Sequence, residues 1–233
     1  MSTFYLLIPV LIFSLWAQWK VKSAYARFAE VGTRAGLSGA EVASRILYDS
    51  GIALVQDPDR YPDGAACSLE PIPGQLSDHY DPRAHALRLS QAVYHGRSIA
   101  ALGIAAHEVG HAIQHARAFA PLQWRSAIYP ISRLGSGLAF PLFFLGLIFR
   151  IPPLLDIGIL VFTFAVCFTL ITLPVEFDAS RRALRALANG GYLTDDELAG
   201  ARKVLSAAAM TYVAAAAMAV VQLVRMLILR GRD

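Results

Sequence analysis

The sequence predicts a mainly α-helical protein with about four transmembrane helices and a small cytoplasmic α+β segment. Hydrophobic residues make up 56% of the 233 residues, and charged residues make up only 16%. A soluble globular chain carries roughly 25% charged residues, so this chain has too few to cover a surface that faces only water. Its apolar residues also gather in four stretches of helical length, and a long, more polar stretch separates the first from the second.

The four apolar stretches are the candidate membrane-spanning helices. Residues 4–19 are interpreted as an uncleaved first helix, because no basic residue precedes them and no small-residue cleavage site follows. Residues 128–149 and 154–173 are each long enough to span, and the short Arg-Ile-Pro-Pro link between them predicts a helical hairpin. Residues 206–229, rich in Ala and Val, are the fourth stretch.

The polar stretch after the first span has both helix and strand signals. Ser38 and Glu41 form a capping-box pattern, which predicts the start of a helix. Residues 52–56 suit a short strand, and residues 57–74, rich in Pro, Gly and Asp, are predicted to form a loop. An Asp-Pro pair within residues 76–89 is a turn signal between two short strands, so a small hairpin is predicted there.

Two further helices are predicted after the membrane hairpin. Pro174 should begin a polar helix, and Asn189 followed by two glycines should end it. Thr194 and Glu197 repeat the capping-box pattern. A new helix should therefore start at that point and continue into the fourth apolar stretch.

The positive charges favour a membrane topology over a nucleic-acid-binding protein. The net charge is +4 at pH 7, but no basic stripe with interleaved aromatic residues is present. Basic residues lie instead near the ends of the spans, on one side in a four-span arrangement, and the positive-inside rule makes that side cytoplasmic. This set consists of Lys20, Lys22, Arg27, Arg117, Arg125, Arg133, Arg181, Arg182, Arg185, Arg202 and Lys203. Arg230 and Arg232 would lie outside, against the rule.

An H-E-x-x-H pattern, formed by His107, Glu108 and His111, lies in a helix predicted from about Ser98 to about Ala116. Residues four apart on a helix differ by about 40° around the axis and about 6 Å along it, so both imidazoles can bind one ion. Glu108 is rotated by about 100°, which lets it reach a water molecule without binding the metal. Two incidental histidines on a solvent-facing helix are the alternative, but the neighbouring residues are apolar. The pattern predicts zinc at the histidines and a general base at Glu108.

A catalytic zinc ion needs a third protein ligand. His115 lies about 12 Å beyond His107 along the helix axis, too far to bind the same ion. Glu176 follows the membrane hairpin, where the chain returns to the side that holds His107, and would complete a His₂Glu set. Alternatively, Glu176 only stabilises the N-terminal end of its helix. Cys67 and Cys167 do not form the closely spaced pairs of a cysteine zinc site and are interpreted as free thiols.

Three sequence segments and their order resemble those of a known family. The segments are DHYDPRAHALRLS at 78–90, AAHEVGHAIQH at 105–115 and LPVEFDASRRAL at 173–184. A first anchor, a soluble segment, the H-E-x-x-H helix, a hydrophobic hairpin and a Glu-bearing helix follow one another in the same order. Over nearly its whole length, the chain resembles the neutral zinc metallopeptidases of bacterial membranes, often called YugP-like.

The resemblance implies a zinc ion held by His107, His111 and Glu176, with Glu108 as the catalytic acid and base. More distant membrane gluzincins usually place an Asp, bonded to a ligand histidine, four residues after the Glu ligand. This chain has Ser180 at that position. The resemblance therefore leaves open which residue supports the histidines.

The predicted organisation has five parts, all within one membrane protein. They are an N-terminal transmembrane anchor (1–19), a cytoplasmic segment with the zinc-binding helix (20–122), a transmembrane hairpin (123–173), cytoplasmic helices with the third zinc ligand (174–203) and a C-terminal transmembrane helix (204–233). We expect a multi-pass protein of the cell (inner) membrane whose active site faces the cytoplasm.

The predicted function is zinc-dependent hydrolysis of peptide bonds in membrane or membrane-proximal proteins, with Glu108 moving the protons. The expected partners are protein or peptide substrates and the lipid bilayer, without nucleic acid, and self-association or a membrane-protein partner is left open. One alternative is a non-enzymatic scaffold in which zinc only locks the helix to the Glu176 segment. Glu108 argues against it, since a structural zinc site needs no base. Another is a metal hydrolase that acts on a lipid-linked bond.

His79 and Tyr80 lie in the predicted hairpin and have two interpretations. The hairpin edge could bind a peptide as an added strand, and either side chain could stabilise an oxyanion. Alternatively, the segment is a turn in which Asp78, His79 and Asp81 satisfy backbone groups. The remaining histidines are interpreted as ordinary polar residues: His85, His95 and His115.

Overall fold

The computed structural model describes residues 3–62 and 64–231, without the side chains of residues 134 and 136. Arg232, one of the two basic residues predicted outside the cell, lies outside the described residues. Backbone contacts divide the chain into two compact units. The helical unit comprises Met1–Trp19, Ala120–Pro174 and Met210–Asp233, and the mixed unit comprises Lys20–Phe119 and Val175–Ala209.

Helices dominate the described residues, and four short strands lie between the second and third helices. In chain order the elements are α1 (Leu7–Ala29), α2 (Gly39–Asp49), β1 (Ala53–Leu54), β2 (Ala66–Ile72), β3 (His79–Asp81), β4 (Ala86–Ser90), α3 (Gln91–Tyr94), α4 (Ile99–Ala116), α5 (Ala120–Phe149), α6 (Pro152–Asn189) and α7 (Asp195–Arg230). Short 3₁₀ turns cover Thr3–Leu6 and Pro58–Arg60. The predicted class, mainly helical with a small sheet, is confirmed.

Three helices are long and apolar enough to cross a membrane: α1 with the 3₁₀ turn before it, α6 and α7. In α5, the segments Ala120–Arg133 and Gly137–Phe149 meet at a bend of 44°, and together they form a fourth candidate span. Pro130 and Pro141 lie inside α5 and each removes a backbone hydrogen bond. The structure thus supports three membrane-spanning helices, or four if α5 is one span.

The predicted helix boundary at Pro174 is wrong, because α6 continues through this residue to Asn189. Proline lacks the backbone N–H of an internal helical residue, so one bond of the helix is lost there. Beyond it, a stripe of side chains at intervals of four residues is fully or almost fully buried: Val175, Ala179, Ala183 and Leu187. Packing along this stripe compensates for the lost hydrogen bond and keeps the helix continuous.

A four-stranded sheet in the order β1-β2-β4-β3 forms one layer of the mixed unit. β2 pairs in parallel with β1 and with β4, whereas β3 pairs antiparallel with β4. The β3–β4 pair confirms the predicted hairpin, with Tyr80 opposite Leu87. β3 is therefore one of the two edge strands of the sheet, and β1 is the other.

Strand β2 corrects the prediction that residues 57–74 form a loop. Pro71 argues against a strand in the sequence, yet it pairs with Leu89 of β4. On the other side of β2, the pairing with β1 ends at Cys67. At Pro71, β2 therefore has no pairing with β1. A proline is tolerated at such an edge, where its nitrogen can face away from the ladder.

Two predicted helix starts are confirmed. The Ser38 hydroxyl accepts the N–H of Glu41, and the Glu41 carboxylate accepts the N–H of Ser38, which is a complete capping box. Before α4, the Ser98 hydroxyl accepts the N–H of Ala101 at 3.2 Å. These caps fix where α2 and α4 begin, and both helices pack into the core of the mixed unit.

Helix α4 lies at the centre of that core. Leu102, Ala105 and Val109 are completely buried, together with Leu47 of α2 and Leu87 of β4. The helix is thus enclosed by apolar side chains over most of its circumference. Polar residues on such a helix have little freedom, so their positions are set by the packing around them.

Candidate metal centre

Helix α4 presents His107, Glu108 and His111 on neighbouring turns, as the H-E-x-x-H spacing predicts. His111 and Glu108 are buried, and His107 is partly exposed. The two imidazole rings lie 4.8 Å apart between their centroids, with an angle of 86° between their planes. This arrangement directs ring nitrogens of both histidines toward a common point.

Glu176 of α6 completes the only cluster of three His, Cys, Asp or Glu residues in the described chain whose donor atoms could hold one metal ion. Its Oε2 lies 3.3 Å from Nε2 of His107 and 3.7 Å from Nε2 of His111. One donor atom from each residue lies within 4.8 Å of the other two. Its side chain is only 3% exposed. The Glu176 carboxylate is therefore almost completely shielded from solvent.

These distances fit a zinc ion. Three ligand atoms placed tetrahedrally about 2.0–2.1 Å from one zinc ion lie about 3.3 Å from one another. The separations of 3.3 and 3.7 Å to the Glu176 oxygen are at or slightly above this value. Two imidazole nitrogens and one carboxylate oxygen are also one of the donor sets found in catalytic zinc sites. The chemistry and the spacing of the donor atoms agree.

Gly110, inside the H-E-x-x-H pattern, allows α4 and α6 to approach closely. A Cβ atom at this position would lie 2.7 Å from the carbonyl oxygen and 3.1 Å from the Cα of Ala179. Contacts this short with backbone atoms cannot be relieved by rotating a side chain. Ala179 follows Glu176 by three residues on the same helix, so the glycine sets how closely Glu176 can approach the histidines.

The Nδ1 nitrogen of each of the two histidines also has a hydrogen-bonding partner. Nδ1 of His107 lies 3.1 Å from the Ser180 hydroxyl, and Nδ1 of His111 lies 3.0 Å from Oε1 of Gln114. An amide oxygen only accepts, so Nδ1 of His111 carries a proton, and in the neutral ring Nε2 then keeps its lone pair. This is the tautomer that a metal ligand requires at Nε2. Ser180, the position at which the sequence departs from more distant gluzincins, thus contacts a histidine of the cluster.

Gln114 links His111 to helix α6. It is completely buried, and its amide nitrogen donates to the carbonyl oxygen of Val175 at 2.8 Å and to Oδ2 of Asp178 at 2.9 Å. Asp178 also accepts from Arg182, which stacks over the Phe119 ring. Asp178 thus supports His111 through Gln114 and is not part of the donor cluster. Sequence analysis missed Gln114, although a glutamine three residues after a ligand histidine lies on the same side of the helix.

Glu108 lies beside the cluster and accepts a hydrogen bond from strand β3. Its Oε2 accepts the backbone N–H of Tyr80 at 3.1 Å. Burial raises the pKa of the Glu108 carboxyl above its ordinary value, although the nearby imidazoles of His107 and His111 act in the opposite direction. The carboxylate is therefore oriented by strand β3, and Glu108 directly follows His107 of the donor cluster in the chain.

The hairpin residues take up different positions around this site. The Tyr80 hydroxyl lies 2.8 Å from Nδ1 of His115, and the two rings pack at 5.8 Å between centroids. His79 is exposed, and its Nδ1 lies 2.8 Å from the carbonyl oxygen of Ser77. Asp78 accepts the N–H and the hydroxyl of Ser90, which joins the start of β3 to the end of β4. Tyr80 is thus a neighbour of the site, whereas the Asp78 contacts fit the predicted turn role.

Comparison with known proteins gives one family and one curated relative. Residues 3–231 match a family described as "Putative neutral zinc metallopeptidase". The chain belongs to this family. A Bacillus subtilis (strain 168) protein named "Putative membrane protease YugP" is 44% identical over 231 residues, which are 98% of this chain and 97% of the relative. No solved structure matches the chain.

Membership of this family of zinc metallopeptidases agrees with the resemblance found in the sequence. The match covers both units of the chain, and therefore both the apolar helices and the cluster on α4 and α6. Together with three apolar helices of spanning length, the relative's name supports a protease in a membrane. The roles of individual side chains follow from the geometry of the site.

Proposed function

We propose that the chain is a membrane-anchored, zinc-dependent endopeptidase that hydrolyses peptide bonds of membrane or membrane-proximal proteins. The observation that carries the proposal is the convergence of His107, His111 and Glu176 on one point. Oε2 of Glu176 lies 3.3 Å from Nε2 of His107 and 3.7 Å from Nε2 of His111. Three ligands leave the fourth position of a tetrahedral site open, as a catalytic site requires and a structural site does not.

His107, His111 and Glu176 would hold the metal in this proposal. A zinc ion at these atoms supplies a Lewis acid that polarises the scissile carbonyl and makes water easier to deprotonate. Glu176 contributes one negative charge, which offsets part of the dication's charge in a site with little solvent. The hydrogen bonds of the two Nδ1 atoms with Ser180 and Gln114 hold the imidazole rings in the orientation that ligation needs.

Glu108 would be the proton carrier. It directly follows His107 but is not part of the donor cluster, so its carboxylate remains available to accept a proton from the attacking water. It then donates this proton to the amine that leaves when the peptide bond breaks. The Tyr80 N–H fixes one carboxylate oxygen and leaves the other for this transfer.

Strand β3 would position the substrate. It is an edge strand of the sheet, and the N–H of Tyr80 points toward Glu108 of α4. An extended peptide that pairs with such an edge aligns its backbone with the site, and its side chains alternate between two faces. The substrate would thus be an extended segment, as expected for an endopeptidase.

Glu108→Gln tests the proposal. The amide cannot accept the water's proton, so turnover of a protein substrate should fall at least about 100-fold. Zinc content should stay near one per chain, because Glu108 is not among the proposed ligands. The measurements are metal analysis of the purified chain and a comparison of the membrane proteome of cells carrying either form. Glu30→Gln, at an exposed position of the mixed unit, is the matched control.

Two results would contradict the proposal. Wild-type proteolysis by Glu108→Gln would leave the reaction without its base. Stoichiometric zinc in a His107→Ala, His111→Ala double variant would place the metal elsewhere. Zinc that depends on both histidines, in a wild-type protein that cleaves nothing, would favour the scaffold in which the metal only joins α4 to α6.

A further inference from the structure

A groove of about 530 Å³ lies along the polar part of α6, beside the first turns of α7. Its basic residues are Arg181 and Arg185 of α6 and Arg202 of α7, and Leu184 and Leu198 contribute apolar surface. All belong to the mixed unit. We refer to this feature as the basic groove. It combines three guanidinium groups with an apolar lining. This combination distinguishes it from an ordinary solvated helix face and from a purely apolar pocket.

The three arginines of the basic groove are exposed. Within residues 3–62 and 64–231, no carboxylate lies within 4.0 Å of any of them. Arg182, between two of them in sequence, differs in that it pairs with Asp178 and stacks on Phe119. The chain thus neutralises Arg182 internally and leaves its neighbours free for an external anion. A guanidinium group binds a carboxylate through two parallel hydrogen bonds.

The basic groove adjoins the candidate metal centre through residues next to its proposed ligands. Ser180, which contacts Nδ1 of His107, is one of its lining residues, and Phe177, another, directly follows Glu176. The groove continues along α6 to Asn189. Twelve residues of helix span about 18 Å, which corresponds to about five residues of an extended peptide. A substrate whose scissile bond lies at the metal centre could therefore extend into the groove on one side.

We propose that the basic groove binds an acidic segment of the substrate, with carboxylates at the arginines and apolar side chains between them. The proposal rests on the proposed peptidase function and names the class of sequence that it selects. A lipid phosphate is the other anion available near a membrane. Arg181 and Arg185 lie one helical turn, about 6 Å, apart on α6, and Arg202 adds a third guanidinium group from α7, so several carboxylates along one chain match the groove better than one phosphate.

A binding measurement with catalysis switched off tests the proposal. The full-length Glu108→Gln protein, in nanodiscs of neutral lipid, is titrated into a labelled peptide in which Glu alternates with Leu. Fluorescence anisotropy should show at least about tenfold tighter binding than for the same peptide with Gln in place of Glu. The difference should shrink as sodium chloride rises from about 0.05 M to about 0.5 M.

Substitutions in the groove locate the interaction. Arg181→Gln, Arg185→Gln and Arg202→Gln together should remove the preference for the Glu peptide. The control changes three exposed basic residues of the same unit outside the groove, Arg45→Gln, Arg97→Gln and Lys203→Gln, and should keep the preference. The control removes the same amount of charge, so equal loss in both variants would mean a general charge effect and overturn the proposal.

A charge exchange gives a gain of binding that misfolding cannot produce. Arg185→Glu should weaken binding of the Glu peptide and strengthen binding of a matched Lys peptide. If the Lys peptide gains nothing, the groove does not contact the peptide and the proposal fails. The proposal also fails if two results occur together. Peptide affinity would be the same in the wild type and the triple Gln variant, and anionic lipid in the nanodisc would raise the unfolding temperature of the wild type only. That result would assign the groove to lipid.

Cleavage by the wild-type protein separates this inference from the peptidase proposal. Cleavage of the Glu and Gln peptides at equal rates would support a peptidase and overturn the acidic preference. Arginine-dependent binding of the Glu peptide without cleavage of any peptide would support the groove and contradict the peptidase. Faster cleavage of the Glu peptide, lost in the triple Gln variant, supports both.

Discussion

Two acidic residues of α6, Glu176 and Asp178, lie close in sequence and contact different parts of the metal centre. Glu176 lies within 3.7 Å of both imidazole Nε2 atoms, whereas Asp178 contacts Gln114 and Arg182. Two helical residues two positions apart are rotated by about 200°, so they cannot both face the same ion. These positions support the proposed metal-ligand role of Glu176, whereas Asp178 contacts His111 only through Gln114.

Replacing each of these acids by alanine should have different effects on zinc. Glu176→Ala removes a ligand and should weaken zinc binding by more than about 100-fold, whereas Asp178→Ala removes a supporting contact and should weaken it by about tenfold. Competition with a chromophoric chelator measures both affinities. Thermal unfolding of the metal-free proteins checks that the variants fold. The reverse order would mean that Asp178 is the ligand and that the orientation of α6 is different.

At this scale the sequence predicted the residues that local spacing defines, and missed those that depend on packing. The placement of His107 and His111 on adjacent turns follows from a helix alone. Gln114 is an ordinary polar residue until Val175 and Asp178 lie against it, and these residues are far away in sequence. In the sequence, Ser180 is only a departure from the Asp of more distant gluzincins. Its contact with His107 depends on how α4 and α6 pack.

The spacing between α4 and α6 depends on Gly110, and the chain offers a matched comparison in Gly103 of the same helix. A Cβ at Gly110 would meet the backbone of Ala179 at 2.7 Å. At Gly103 the nearest atom would be the Cβ of Ala201 at 3.5 Å, an ordinary van der Waals contact. The two glycines therefore differ in the room around them, although both lie inside a helix.

Alanine at these two positions should have opposite effects. Gly110→Ala should push α6 away, lower the free energy of unfolding by about 1–3 kcal/mol and weaken zinc binding. Gly103→Ala should be neutral or stabilise α4 by up to about 1 kcal/mol, since alanine favours helix over glycine. Thermal unfolding and zinc titration of the two variants provide the test. Equal zinc affinity in both would show that the α4–α6 distance does not control the site.

Among the elements, those with complete local signals were predicted well. The cap at Ser38, the hairpin at the Asp-Pro turn and the helix after Ser98 are all encoded within a few residues. Strand β2 was missed because its partner β4 lies far along the chain, and Pro71 is tolerated only at that free edge. The continuity of α6 through Pro174 likewise depends on a buried stripe that no short segment reveals.

For the molecule as a whole, the contacts of the mixed unit constrain the number of membrane crossings. His107 precedes α5, Glu176 lies near the end of α6, and their side chains are 3.3 Å apart. A chain that leaves one side of a membrane and returns to it must cross an even number of times. If the apolar part of α6 crosses once, α5 must cross as well despite its bend of 44°. The site geometry thus favours four spans over three.

The basic residues then predict which side faces the cytoplasm, and two engineered cysteines test it. In a background with Cys67→Ala and Cys167→Ala, Ile151→Cys lies between α5 and α6, and Asp196→Cys lies at the start of α7. Because lysine and arginine favour the cytoplasmic side, a membrane-impermeant maleimide should label Ile151→Cys on intact cells. Asp196→Cys should react only after permeabilisation.

Each other labelling pattern contradicts a different step of the topology. The reverse pattern would place the metal centre outside the cell and overturn the orientation drawn from the charges. Labelling of both positions on intact cells, or of neither, would put the two ends of α6 on one side, so α6 would not cross the membrane and the even number of crossings would have to come from elsewhere. Only opposite accessibility, with Ile151→Cys outside, agrees with a cytoplasmic site built from α4 and α6 and with α6 crossing the membrane once.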